Sequence, residues 1–388
     1  MSKIERKIIQ WIQQHLTELF ALAITLCSLA IRISFRKFES IDSGIYLLPW
    51  WEEIRNNGGI YALESQVGDY NMLYQFLIAV MTYLPVKPLY QYKLLSGIFD
   101  YLLAATVGYV TYDLTDKSRE RGLMAYVTIV MSPVVILNSS AWAQCDAIYV
   151  FFIMLSLLML MKERCTLAFV ILGIAFSFKL QTIFIIPFFI YYYFKKKNFT
   201  ILNFAIIPLV MCLVSIPNLI MGRSIQDVFL NYARQTNTHA DLTLNYPSFW
   251  CIFNRAVSLE TLEEPAVMLT IALLGIFIYL WLTSENNMES KKMIYSAFLI
   301  AYTCVFFLPR MHERYGYMYE ILSIPIAFTN KKTIPLCVML NVISMITYAQ
   351  FLYGTEYDAR ILACVNGLVY LLYIMILMPH LLKNEIHQ

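Results

Sequence analysis

The chain has 388 residues, of which 59% are hydrophobic and only 14% charged, and its mean hydropathy is +0.60. A soluble chain carries roughly a quarter charged residues, so a soluble globular fold is excluded. The net charge of +3 is too small, and the basic residues too scattered, for nucleic acid to be a partner.

The N-terminal segment carries Lys3, Arg6 and Lys7 and leads into an apolar stretch from Leu16 to Ile33. That stretch is too long for a signal-peptide core and no small-residue cleavage pattern follows it, which predicts a retained first transmembrane helix. With the basic lead in the cytoplasm, this helix runs outward into a long first outer loop, residues 35–92. Asn71–Leu84 is apolar, yet a crossing there would put Lys117, Arg119 and Arg121 outside. It is expected as a juxtamembrane helix in the outer interface. Leu94–Val110 returns to those three cations, Leu123–Leu137 exits, and Ala147–Met161 returns to Lys162 and Arg164.

Thr166–Phe194 has basic residues at both ends, finishing at Lys195, Lys196 and Lys197. Two short helices meeting at Lys179 satisfy those charges, each shorter than the ~20 residues of a full span. Lys179 would then sit recessed in a cavity. Ile201–Met221 exits into a second outer loop, residues 222–264. Ala266–Leu282, Met293–Leu308, the stretch after Tyr315, Ile334–Phe351 and Ile361–Met378 complete the series and return the C-terminus to the cytoplasm, with Lys291, Lys292, Lys331 and Lys332 inside.

The expected architecture is an all-α polytopic membrane protein, a single domain over residues 1–388 with about 12 transmembrane helices. No internal repeat is visible. The eight cysteines are isolated, most of them within apolar runs, and read as packing residues without metal-ligand spacing. Cys145 and Cys251 would both lie near the outer surface, which leaves a disulfide between them open. Asn138-Ser139-Ser140 matches a glycosylation acceptor, but nothing else indicates a eukaryotic secretory setting.

Ionisable residues at membrane depth are costly and need a partner or a function. In this topology the unusual polar groups all reach the outer side. Asp42 follows the first helix, and Asp69 sits in Gly68-Asp69-Tyr70-Asn71. Trp142-Ala143-Gln144-Cys145-Asp146 opens a helix, and Phe178-Lys179-Leu180-Gln181 joins the half-length pair. Asn245-Tyr246-Pro247-Ser248 lies late in the second outer loop, and Pro309-Arg310-Met311-His312-Glu313-Arg314-Tyr315 links two later helices. Such convergence implies one shared cavity. A carboxylate there could take a proton from a hydroxyl, while Lys179, Arg310, His312 and Arg314 could hold a phosphate. Trp142, Gln144, Asp146, Gln181, Glu313 and Tyr315 would shape the rest of the pocket around them. No nucleophile elbow, P-loop or HExxH pattern is present. The chemistry therefore suits transfer from a phosphate-activated donor.

Taken in series, the acidic residue after helix one, Trp-x-Gln-x-Asp, Phe-Lys-Leu-Gln and Pro-Arg-Met-His-Glu-Arg-Tyr resemble the bacterial relatives of the second GPI mannosyltransferase, within the GT-C superfamily. The resemblance runs from Asp42 through Tyr315. It implies a polyprenyl-phosphate sugar donor, with mannose or another hexose, and a lipid- or glycan-linked acceptor. It also implies inversion at the anomeric carbon and an acidic base in the first outer loop, which maps onto Asp42 with Asp69 as the other candidate. The location implied is a bacterial cell membrane, with the active site extracytoplasmic and membrane lipids as neighbours. No cofactor is expected; a divalent metal is possible but not indicated, because the loop has no Asp-x-Asp pair. The alternative class is a flippase or transporter of lipid-linked sugars, which would show an inverted repeat and charges near the midplane.

Overall fold

The computed structural model describes residues 1–236, 241–253, 259–284 and 287–383. The chain begins with an amphipathic helix, α1 (Lys3–Gln14), followed by α2 (Leu16–Ser34). The first outer loop holds α3 (Leu48–Asn56) and α4 (Met72–Met81). Next come α5 (Pro88–Leu114), α6 (Arg119–Met131), the single turn α7 (Pro133–Ile136) and α8 (Asp146–Met161). The half-length helices α9 (Cys165–Phe178) and α10 (Ile186–Lys196) follow, then α11 (Ile206–Val214), α12 (Ile216–Ile220) and α13 (Asp227–Thr236). Five further helices complete the fold: α14 (Leu259–Thr283), α15 (Ser290–Phe307), α16 (Tyr317–Thr329), α17 (Ile334–Tyr353) and α18 (Ala359–Leu382). Two short strands, β1 (Thr243–Leu244) and β2 (Met311–His312), pair in parallel.

Among the described residues, five stretches are long and apolar enough to cross a bilayer: Leu16–Lys37, Pro88–Leu114, Thr261–Thr283, Lys331–Tyr353 and Ala359–Leu382. A sixth results if α6 and the segment from Pro133 to Ala141, bent from it by 47°, form one broken span. The roughly 12 crossings expected from charge placement would also require shorter apolar helices such as α8 and α9. On α2 the exposed side chains Leu22, Leu26, Leu29 and Ile33 form a stripe at helical spacing. Such a stripe is stable against lipid tails and unfavourable in water. Helix α15 is the opposite case: every residue from Lys292 to Phe307 is buried.

The interior is held in part by close backbone approach and by a buried ion pair between α2 and α5. Gly108 of α5 and Gly122 of α6 face each other so closely that a Cβ on either would come within 2.9 Å of the other's carbonyl oxygen. Only glycine permits that crossing. Arg32 of α2 donates through Nη1 to Asp100 Oδ2 of α5 at 2.6 Å and to Ser139 Oγ at 2.9 Å. This ties the first helix to the turn that precedes α8.

The helix ends divide into two groups. At one end lie Glu18–Arg119 at 3.1 Å, Lys162–Asp113 at 2.7 Å and Lys196–Glu163 at 3.2 Å. The other end, reached by the C-termini of α2, α9 and α15, carries the irregular backbone. There a wide π-type turn over Leu137–Ala141 lets Trp142 N–H donate to Leu137 O at 2.8 Å. A second such turn runs over Ser43–Leu47. Wide turns of this kind are rare and concentrate at functional sites.

The helix that sequence expects to break at Lys179 does break there. Its backbone is extended (φ −152°, ψ 134°) between α9 and the tight turns of Leu180–Ile185. Asn71–Leu84 contains the 10-residue α4, too short to cross and largely packed against the chain. The region after Ile201 is three short pieces rather than one continuous helix. Pro208 and Pro217 fall within it, and a proline removes a backbone donor. All eight cysteines are free, so no disulfide joins Cys145 to Cys251; the Cys251 thiol instead donates to Tyr246 O at 3.1 Å. Asn138 is fully buried and is no glycosylation acceptor in this fold.

Candidate active site

At the irregular end the chain encloses a cavity of about 470 Å³. Asp42, Asp69, Gln144, Lys179, Gln181, Asn245, His312, Glu313, Arg314 and Tyr315 all line it. They come from six separate stretches of sequence. Aromatic rings of Tyr46, Trp50, Tyr70, Phe178 and Phe351 complete the wall.

Asp42 is the most firmly placed carboxylate facing this space. Ser40 is buried, and its hydroxyl donates to the Trp142 carbonyl at 3.2 Å, which docks the first loop onto the start of α8. Asp42 Oδ2 then accepts from Trp142 Nε1 at 2.8 Å and from Gln144 Nε2 at 3.1 Å. Two adjacent side chains reach one oxygen because Ala143, between them, has φ +64°. A left-handed alanine costs roughly 1–2 kcal/mol, and strain of this kind is tolerated where surrounding contacts fix it. Trp142 itself is fully buried and does not line the cavity. Its ring stacks on Phe351 at 4.4 Å, so its place is behind Asp42, holding it, rather than in the sugar pocket.

Asp69 is exposed and lines the rim. Gly68 beside it combines φ +68° with the Trp50 ring, which would lie 2.4 Å from any added Cβ. Only glycine fits there.

The cations are less free than sequence suggests. Lys179 forms a buried ion pair with Asp146 Oδ1, and Asp146 Oδ2 accepts from Asn138 Nδ2 at 2.8 Å. Asp146 is 1% exposed and does not line the cavity. It fixes Lys179 and balances its charge from behind the cavity wall. Arg314 donates through Nη1 to Gln144 Oε1 at 2.6 Å, and its guanidinium lies 5.6 Å from the Trp142 ring centroid. Its carboxylate neighbours stand further away, Asp146 at 3.8 Å and Glu313 at 3.9 Å. Arg314 Nε is buried without a hydrogen-bond partner.

His312 lines the cavity from β2, with its ring 5.1 Å from that of Tyr315. Arg310 turns elsewhere: its backbone is left-handed (φ +60°), and its side chain pairs with Glu263 at 3.0 Å. It is not among the cavity residues. Glu263 therefore holds its charge away from the cavity that the other motif residues line. Burial pushes the Glu313 carboxyl up to about 7, with Arg314 opposing and Asp42 and Asp146 reinforcing the shift. Gln181 and Tyr315 also stand in the wall. Among the described residues no group of three or more His, Cys, Asp or Glu could hold a metal ion.

Several contributors escaped sequence reading. Tyr46 and Trp50 sit four residues apart on a helical segment with rings 5.6 Å apart, a spacing that could have marked them. Tyr70 donates its hydroxyl to Gln144 Oε1 at 3.1 Å. Arg32 and Asp100, charges inside apolar helices, carried the signal that buried ionisable groups have jobs, and they fix Ser139 beside the site.

Membrane-length helices around a cavity lined by carboxylates and cations are compatible with a membrane-embedded group transferase. The family model for glycosyltransferase family 87 matches residues 70–309. The chain belongs to that family, which is of the GT-C type, and is therefore a glycosyltransferase acting on a sugar donor and an acceptor. A search of curated proteins finds no match. The matched span contains Trp142, Gln144, Asp146, Lys179 and Gln181 but not Asp42, Asp69 or Arg310 to Tyr315.

Proposed function

We propose that this glycosyltransferase moves a hexose, with mannose the first candidate, from a polyprenyl-phosphate donor to a lipid- or glycan-linked acceptor, with inversion. The reading includes an extracytoplasmic cavity, cytoplasmic termini and about 12 crossings of a bacterial cell membrane. It follows from the charge placement and from the motif resemblance to the bacterial relatives of the second GPI mannosyltransferase. The observation that carries it is the single cavity in which Asp42 shares space with Arg314, Lys179 and His312.

In this mechanism an acceptor hydroxyl attacks the anomeric carbon while Asp42 takes its proton. Trp142 and Gln144 hold Oδ2, so Oδ1 is the oxygen assigned to the proton. The bond from the anomeric carbon to the phosphate oxygen breaks, and polyprenyl phosphate leaves with an additional negative charge. Arg314, whose Nε makes no hydrogen bond within the chain, meets that charge, and His312 and Lys179 add to the field. Because Asp146 already balances Lys179, Arg314 is assigned the main phosphate contact. A low-dielectric wall of aromatic rings strengthens each of these interactions.

The test uses purified protein with radiolabelled polyprenyl-phosphate mannose, glucose and galactose together with a membrane-lipid acceptor extract. Transfer from at least one donor is expected, falling about 10²–10⁴-fold in Asp42→Asn, the range for loss of a general base. Asp69→Asn is expected to keep most activity. Transfer from a nucleotide sugar alone would overturn the donor assignment, and full activity in Asp42→Asn would overturn the base.

A further inference from the structure

Helix α1 presents an apolar face that no described part of the chain covers. At about 100° per residue, Ile4, Ile8, Trp11 and Ile12 fall within one arc of about 100°. None of the α1 residues is buried; Ile4 is 71% exposed and Trp11 53%. Lys3, Arg6 and Lys7 occupy the flank and the opposite side. The one carboxylate, Glu5, is engaged at the helix start, where Ser2 N–H donates to it at 2.5 Å. An isolated helix of 12 residues is marginal in water, and a capping box satisfies only its first turn. The stability of α1 must come from a surface outside the chain.

Its position says which surface. His15 alone separates α1 from α2, whose exposed Leu22, Leu26, Leu29 and Ile33 make the lipid-facing stripe. Glu18 in the first turn of α2 pairs with Arg119, which places α1 at the charged end of the bundle, where the apolar layer stops. An apolar face flanked by cations at that level matches the acyl boundary and phosphate headgroups of a bilayer. We propose that α1 lies flat on the membrane surface as an anchor for anionic lipid headgroups, with its isoleucines and Trp11 among the acyl chains.

Amide hydrogen exchange over residues 3–14 of the full chain tests this, in vesicles of phosphatidylcholine alone and with phosphatidylglycerol added. Exchange at least tenfold slower in the phosphatidylglycerol vesicles is expected. The triple variant K3Q/R6Q/K7Q should lose the difference between the two vesicles, and Ile8→Asp should restore fast exchange in both. Equal exchange in the two vesicle types would overturn the anionic-lipid assignment. Protection that grows with the protein-to-lipid ratio would overturn it in favour of a second copy of the chain.

Discussion

The two ends of the bundle carry similar charges in opposite circumstances. At the basic end Lys117, Arg119 and Glu163 are 55%, 73% and 69% exposed at their side chains, and they pair across regular helix termini. At the cavity end Lys179 and Asp146 are 9% and 1% exposed, and Arg314 is 17%. Exposed pairs gain little, because water already solvates each partner. Buried pairs are held by mutual dependence: each charge is tolerable only while the other remains. The contrast separates charges that water solvates from charges that depend on one another in and behind the cavity wall.

Removing one member of the buried pair should give the largest stability change. Asp146→Asn leaves Lys179 uncompensated and is expected to cost about 3–5 kcal/mol, read as a lower thermal unfolding midpoint in detergent. The double variant Asp146→Asn/Lys179→Met should recover a substantial part of that loss, and simple additivity of the two single effects would show that the pair is not coupled. Next in size is Arg314→Lys, which removes the planar fork. Donor affinity should fall about 10- to 100-fold, the equivalent of one charge-assisted hydrogen bond, while the fold persists. An unchanged donor KM would break the phosphate assignment.

A smaller effect is expected from pH. Burial holds Glu313 at about 7 instead of the ordinary 4.5. A carboxyl raised in the folded state contributes stability that is complete below its unfolded value and is lost as pH rises through the folded one. Stability of the native chain should therefore decline between about pH 4.5 and 7, and Glu313→Gln should flatten that slope and be the more stable protein at pH 8. The smallest effect belongs to the other end: Arg119→Ala should shift stability by no more than about 0.5 kcal/mol. A large loss there would erase the contrast between the two ends.

The gathering of Asp42, Lys179, Gln144 and His312 to Tyr315 was legible in the sequence, because basic clusters restrict which segments can face the same side and polar motifs then have few places to meet. The break at Lys179 was legible for the same reason. Which groups pair within the cavity was not legible. Lys179 and Asp146 are separated by 33 positions, and nothing local reveals that they touch. Trp142 was read as a wall residue because its indole turns to Asp42 only through the left-handed backbone of Ala143. Arg310 and Arg314 look equivalent in one motif, yet Glu263, in the first turns of α14, claims the first. The parallel pairing of β1 with β2 left no trace, since two-residue strands have no periodicity to read.

That small pairing has a consequence for how the chamber could open. Arg310 N–H donates to Leu242 O at 2.8 Å, and Thr243 and Leu244 lie in register with Met311 and His312. Asn245 bridges to His312 as well, and its carbonyl accepts from Tyr357 at 2.8 Å. The late part of one loop and the cation-bearing turn of another are thus stitched backbone to backbone. A displacement of Leu242 to Asn245 would carry His312 along and, through the same turn, Arg314. Opening of the cavity at this loop and realignment of its cations would then be a single movement.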